Sequence, residues 1–211
     1  ASITWSLDSR YIVSGSIDYL TTVWDNQQAQ IVYQENDPSA GGPGRVWLEG
    51  GWMSDGLTKL NAFTGEWTIN RDWDRNFTSG GATNATDMSP DHQQIAWGSV
   101  FGYLVIWDLH ALSGVQVLEI AESDPPTPRR PLMDIAWDAT GDFVAAVSHD
   151  GEVYIANLAS GEVATVLNVD GQLNAVDWNP RTTEITYAGV SSTGETILAT
   201  VDVNGIAGVQ P

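Results

Sequence analysis

Five tandem copies of one phrase predict an all-β chain, a β-propeller of four-stranded antiparallel blades, with the second blade degenerate. Three observations carry that prediction. The phrase itself is a short apolar run ending in Trp or Met, a polar turn, an apolar run, a turn with Asp or Gly, and a further apolar run. It returns at a mean spacing of about 44 residues, the size of one propeller blade. Its runs are about five residues long, rich in Val, Ile, Thr and aromatics, and are separated by Asp-Gly, Thr-Gly and Pro-Asp turns, the chemistry of an antiparallel meander. A sheet this small cannot bury both faces alone, so several must stack, and radial stacking yields a propeller.

The copies follow in order. The first runs from ITWS at 3–6 through LDSR and YIVSGS to a turn at Asp18, then LTTVWD ending at Trp24 and Asp25. The second, RVWLEGGWMSDGLTKLNAFTGE at 45–66, places Leu60 where the first has Trp24, and GGPG at 41–44 stands where the opening strand is expected. The third, ATDMSPDHQQIAWGSVFGYLVIWD, ends at Trp107 and Asp108. The fourth, DIAWDATGDFVAAVSHDGEVYIANLASGE, has Ala156 and Asn157 at that place. In the fifth, NAVDWNPRTTEITYAGVSSTGETILATVDV, the equivalent of the Trp is Thr200, and IAGVQ at 206–210 supplies the outer strand. The blades therefore fall at about 1–36, 37–78, 79–121, 122–168 and 169–211 of one propeller domain. A closed five-bladed ring and an arc of a larger propeller are both compatible with this count. Trp5, Trp137 and Trp178 share one place in three first strands, with Met88 in a fourth, and are expected in the core between blades.

SGSIDYLTTVWD and VFGYLVIWDLHALSG resemble the closing part of WD-repeat units, and SPDHQQIAWGS, DATGDFVAAVS and HDGEVYI resemble other parts of the same unit. The resemblance covers nearly the whole chain at the level of the WD-repeat β-propeller family. Two departures stand out. The Gly-His dipeptide of many family repeats is absent, and only the first copy keeps an Asp, a Ser and the Trp together, as Asp18, Ser14 or Ser16, and Trp24. The lysine-poor, acid-rich composition with ten tryptophans is also similar to extracytoplasmic WD-repeat proteins of bacteria.

Eight basic and 27 acidic side chains leave a net charge of −19, with Lys59 as the sole lysine. Nucleic acid and anionic membranes are recognised by clustered Lys and Arg that release counterions, so neither is expected as a partner. No apolar run approaches the roughly 18 residues of a membrane helix. Zero cysteine removes disulfides, thiolate metal sites and thiol catalysis.

Catalytic patterns are sparse. His92, His110 and His149 fall at scattered places, and no HExxH, GxSxG or phosphate loop occurs. Asp72, Asp74 and Asn76 alternate like the start of a calcium loop but lack its later glycine and glutamate, so no metal or other cofactor is expected. What remains is a surface. The resemblance implies that loops leading into first strands and turns between second and third strands form one rim where partners dock. That rim takes in Tyr19, Arg45, Trp52, Phe101, Tyr103, Arg129, Arg130, His149 and Asp150. Aromatics on an acidic background favour a basic protein or peptide. The expected function is a noncatalytic scaffold; the alternative is a secreted propeller that binds or cleaves carbohydrate with Trp platforms and convergent acids.

Overall fold

The computed structural model describes residues 2–6, 8–16, 20–36, 46–47, 52–54, 58–61, 67–69, 83–108, 113–120 and 130–210. Blade 1 comprises β1 (Ser2–Trp5), β2 (Tyr11–Gly15), β3 (Leu20–Asp25) and β4 (Gln30–Asn36); blade 2 comprises β5 (Val46–Trp47), β6 (Trp52–Ser54), β7 (Thr58–Asn61) and β8 (Trp67–Ile69). Blade 3 comprises β9 (Thr83–Met88), β10 (Gln94–Ser99), β11 (Tyr103–Asp108) and β12 (Ser113–Glu119). Blade 4 comprises β13 (Leu132–Trp137), β14 (Phe143–Ser148), β15 (Glu152–Asn157) and β16 (Val163–Asn168), and blade 5 comprises β17 (Gly171–Trp178), β18 (Glu184–Ser191) and β19 (Thr196–Asp202). Each sheet is an antiparallel meander with its strands in sequence order.

The turns explain why the meander forms. Between first and second strands, Ser6, Ser89 and Asp138 each accept the N–H five residues on, from Tyr11, Gln94 and Phe143, at 2.8–2.9 Å. The tight reversal takes Ser9, His92 and Gly141 to positive φ. Burial then follows stacking. Blades 3 and 4 are covered on both faces, so β10, β11, β14 and β15 bury nearly continuous runs. In blade 5, covered on one face, β19 alternates exposed and half-buried residues. One core lies between blades 3 and 4, around Leu104, Ile106, Leu132, Ile135 and Trp137. Another lies between blades 4 and 5, around Val147, Ile155, Leu173, Ile185 and Tyr187.

Four expectations change. The opening strand of blade 2 is present, as the two-residue β5 paired with β6. The strand that blade 5 lacks is its fourth: Ile206–Gly208 forms a 3-10 turn, with Ala207 at φ 51°. Instead of extending the sheet, this segment buries Ala207 and Val209 in the core shared with blade 4. The fifth-blade equivalent of Trp24 is Val201 rather than Thr200. Trp24 lies opposite Ile12 one step inside the Asp25–Tyr11 pair, as Val201 lies opposite Ile185 one step inside Asp202–Glu184. Finally, Trp137 and Trp178 are buried at 7% exposure, but Trp5 is 51% exposed, because among the described residues no blade face packs on it as blades 3 and 4 pack on the other two.

Candidate partner-binding rim

The turns between second and third strands share one construction. In blade 3, Ser99 Oγ accepts the N–H groups of Phe101 and Tyr103, both at 3.1 Å. In blade 4, Ser148 Oγ accepts the Glu152 N–H at 3.1 Å and donates to Asp150 Oδ1 at 2.5 Å. In blade 5, Ser191 Oγ accepts the Glu195 N–H at 3.0 Å. A hydroxyl at the last position of the second strand thus ties each turn into a fixed loop, and the residue two places on varies: Phe101, Asp150, Thr193. These turns are rigid mounts for changeable side chains.

Among the described residues, blade 4 carries the densest charge arrangement. The Arg130 guanidinium, leading into β13, reaches Asp150 at 3.2 Å and Glu152 at 2.6 Å. The Tyr154 hydroxyl also donates to Glu152, and Asn168 Nδ2 donates to it at 3.4 Å. Burial, then Glu152, pushes the Tyr154 hydroxyl well above its ordinary value. The His149 N–H donates to the Pro131 carbonyl at 3.0 Å, fastening the turn to the segment ahead of β13. Among the described residues, this group sets one cation against two carboxylates.

Of the residues expected on the rim, the structure brings Arg130 and Asp150 into contact and places His149 beside them on the same turn. Phe101 and Tyr103, both half-buried, flank the corresponding turn of blade 3. Trp52 opens β6 opposite Asn61, which puts it at the far end of that hairpin from the connection between second and third strands. Tyr19, Arg45 and Arg129 lie outside the described residues, as do Asp18, Asp72, Asp74 and Asn76. Ser148, Glu152 and Tyr154 were not singled out by sequence. The signal for them is the SHDGEVY run, in which a serine precedes Asp-Gly and alternate residues face one side.

The opposite rim carries a cavity of about 440 Å³ between the first turns of blades 4 and 5, lined by Asp138, Thr140, Phe143, Trp178, Arg181 and Thr182 among others. The Phe143 and Trp178 rings meet there at 6.5 Å with a tilt of 31°. On the first strands, Asp87 and Asp134 carry hydrogen bonds from one blade to the next: Trp137 N–H donates to Asp87 at 2.8 Å and Val176 N–H to Asp134 at 2.9 Å. Burial raises both carboxyls to about 6. Among the described residues, no group of three or more His, Cys, Asp or Glu is placed to hold a metal ion. No described helix is long and apolar enough to cross a membrane.

No family model matches the sequence. The chain is similar to THO complex subunit 3 of Arabidopsis thaliana, 24% identical over 102 residues that make up 48% of this chain and 30% of that protein. The matched part thus spans less than a third of that protein's length. Fold and likeness together describe a chain of β-propeller-like blades, similar over about half its length to a subunit of a protein complex.

Proposed function

We propose that the chain is a noncatalytic scaffold that holds a protein or peptide partner on the rim formed by the turns between second and third strands. The observation that carries this reading is the serine-tied construction of those turns in blades 3, 4 and 5. Such loops spend no ordering entropy on binding, so variable side chains on them can be read by a partner at low cost. Around Phe101, Tyr103, His149 and Asp150 the rim pairs aromatic area with a residual negative charge, which suits a basic, extended segment. The likeness to a subunit of a complex points the same way. For the carbohydrate reading, Trp97, Trp107, Trp137 and Trp178 are buried and Asp87 and Asp134 are occupied as links between blades, whereas Trp5 and Trp24 are exposed.

The test is calorimetric titration with Lys- and Arg-rich peptides, alongside neutral oligosaccharides. Binding of peptide that weakens about tenfold in Phe101→Ala or Asp150→Ala, and that falls with salt, is the expected result. Oligosaccharide binding with no response to peptide would overturn the scaffold reading.

A further inference from the structure

The cation on the blade 4 rim belongs to a side chain that the turn beside it does not need. In blade 4 the His149 N–H, between β14 and β15, donates to the Pro131 carbonyl at 3.0 Å; in blade 5 the Ser192 N–H donates to the Asp170 carbonyl, also at 3.0 Å. Leu132 pairs with Ser148 as Gly171 pairs with Ser191, so the two fastenings hold the same register. The residue ahead of the accepting carbonyl is nevertheless Arg130 in blade 4 and Val169 in blade 5. The fastening forms with or without an arginine at that place.

The two carboxylates that Arg130 meets are also held without it. Glu152 accepts the hydroxyl of Tyr154, a residue only 3% exposed, on Oε2 and Asn168 Nδ2 on Oε1 at 3.4 Å. Asp150 Oδ1 accepts the Ser148 hydroxyl at 2.5 Å. Arg130 then supplies Nε to Asp150 Oδ2 at 3.2 Å and one terminal nitrogen to Glu152 Oε2 at 2.6 Å. Two nitrogens of one planar fork on two separate carboxylates is guanidinium geometry, which the compact ammonium of a lysine does not reproduce.

Solvent reaches this group. The Arg130 side chain is 39% exposed and that of Asp150 42%, with Glu152 behind them at 15%. An ion pair this open contributes little to stability, because water screens it and the entropy of a long side chain opposes it. Exchanging one guanidinium for another on the same carboxylates therefore costs little and leaves neither acid unpaired at the end.

We propose that Asp150, Glu152 and Tyr154 form a guanidinium seat that Arg130 fills from within the chain, and that an arginine of the bound partner takes the seat by displacing it. This rests on the rim-scaffold reading and narrows the partner's basic segment to one that presents arginine. Arg130 acts as a built-in competitor, lowering the partner's apparent affinity by the fraction of time that it leaves the seat open. A lone arginine gains nothing by the exchange, whereas a segment that also buries area against rim aromatics such as Phe101 does.

Calorimetric titration with a Gly-Ser peptide carrying several arginines, and with its lysine counterpart, tests this, with circular dichroism confirming that each variant stays folded. Arg130→Ala should bind the arginine peptide about tenfold more tightly than wild type, gain much less for the lysine peptide, and lose the gain when Glu152→Gln is added. Weaker or unchanged binding of the arginine peptide by Arg130→Ala, as a mere brace would give, or an equal gain for lysine, overturns the proposal. Ethylguanidinium, followed through the amide chemical shifts of Asp150 and Glu152, reads the seat with no peptide present. It should bind Arg130→Ala about fivefold or more tighter than wild type, while ethylammonium should not distinguish the two. Equal binding of ethylguanidinium to both proteins overturns the seat whatever the peptides do. Selective ethylguanidinium binding with no peptide bound by either protein would support the seat and overturn the rim-scaffold reading.

Discussion

Gly151 shows how much of the rim rests on one residue. It sits at φ 90°, and a Cβ there would stand 2.3 Å from the Val169 carbonyl oxygen and 2.9 Å from that of Gly171. Both obstacles are backbone, fixed by the hydrogen bond from the Val169 N–H to the Gly151 carbonyl. Gly151→Ala therefore combines an unfavourable φ with a clash that no side-chain rotation relieves. A loss of about 2 kcal/mol or more is expected in urea unfolding. The same substitution at Gly194, also at positive φ but with open space around it, should cost clearly less, about 1 kcal/mol. The contrast separates the two causes, since both residues hold the same place in equivalent turns of blades 4 and 5 but only Gly151 is hemmed in.

At the level of the element, the residue closing each third strand decides what the chain does next. Asp25 accepts the Gln27 and Gln28 N–H groups and pairs with Arg10 at 2.9 Å, so an acid ends β3 and opens the turn. In blade 4 the equivalent is Asn157, whose Oδ1 accepts the Ala159 and Ser160 N–H groups in the same way. Its Nδ2 does something an aspartate cannot: it donates to the Ala207 carbonyl at 2.9 Å and anchors the 3-10 turn that replaces a fourth strand in blade 5. Asn157→Asp should thus leave the blade 4 turn intact and loosen the 206–208 segment. Faster hydrogen exchange at the Val209 N–H, with a stability loss of about 1 kcal/mol, is the expected signature.

The strands and most turns of such elements are legible because Asp-Gly, Thr-Gly and Trp-Asp recur along the chain, and their polar side chains bond locally. The misplacement of Thr200 by one residue arose where neither Trp nor any aromatic marked the face, leaving only Asp202 to set the register. The anchor at Asn157 was illegible, because its partner lies 50 residues away. Asp87, Asp134 and Asp177 read as ordinary turn-forming acids by composition, and only the stacking of one blade on the next shows what their oxygens face. The exposure of Trp5 is equally a property of stacking, not of its strand.

For the molecule as a whole, the links between blades make stability depend on pH in an unusual direction. Burial raises Asp87 and Asp134 from 3.8 to about 6, outweighing the N–H groups of Trp137 and Val176 that favour their charged forms. Repulsion from Asp177 adds to both, and Asp87 also repels Asp134. A carboxyl raised on folding binds its proton more tightly in the native state, so its stabilising effect is complete below pH 3.8 and is lost as pH rises through about 6. Each shift corresponds to roughly 2–3 kcal/mol, and mutual repulsion keeps the two from being additive. Asp8, Asp91 and Asp202 act oppositely: hydroxyls of Ser6, Ser89 and Thr183, with nearby N–H groups, hold them below their ordinary value. Their contribution is present above about pH 4 and fades in stronger acid. Stability should therefore peak between about pH 4 and 5 and fall toward neutrality, where a net charge of −19 adds further repulsion. Urea unfolding at closely spaced pH values checks this. Asp87→Asn with Asp134→Asn keeps an oxygen acceptor at both joints while removing the titration, and should flatten the decline between pH 4.5 and 7. Asp142→Asn, an exposed change that removes one carboxylate charge without touching a joint, should leave the slope in place. A slope that survives the paired substitutions would assign the decline to net charge instead of to the joints.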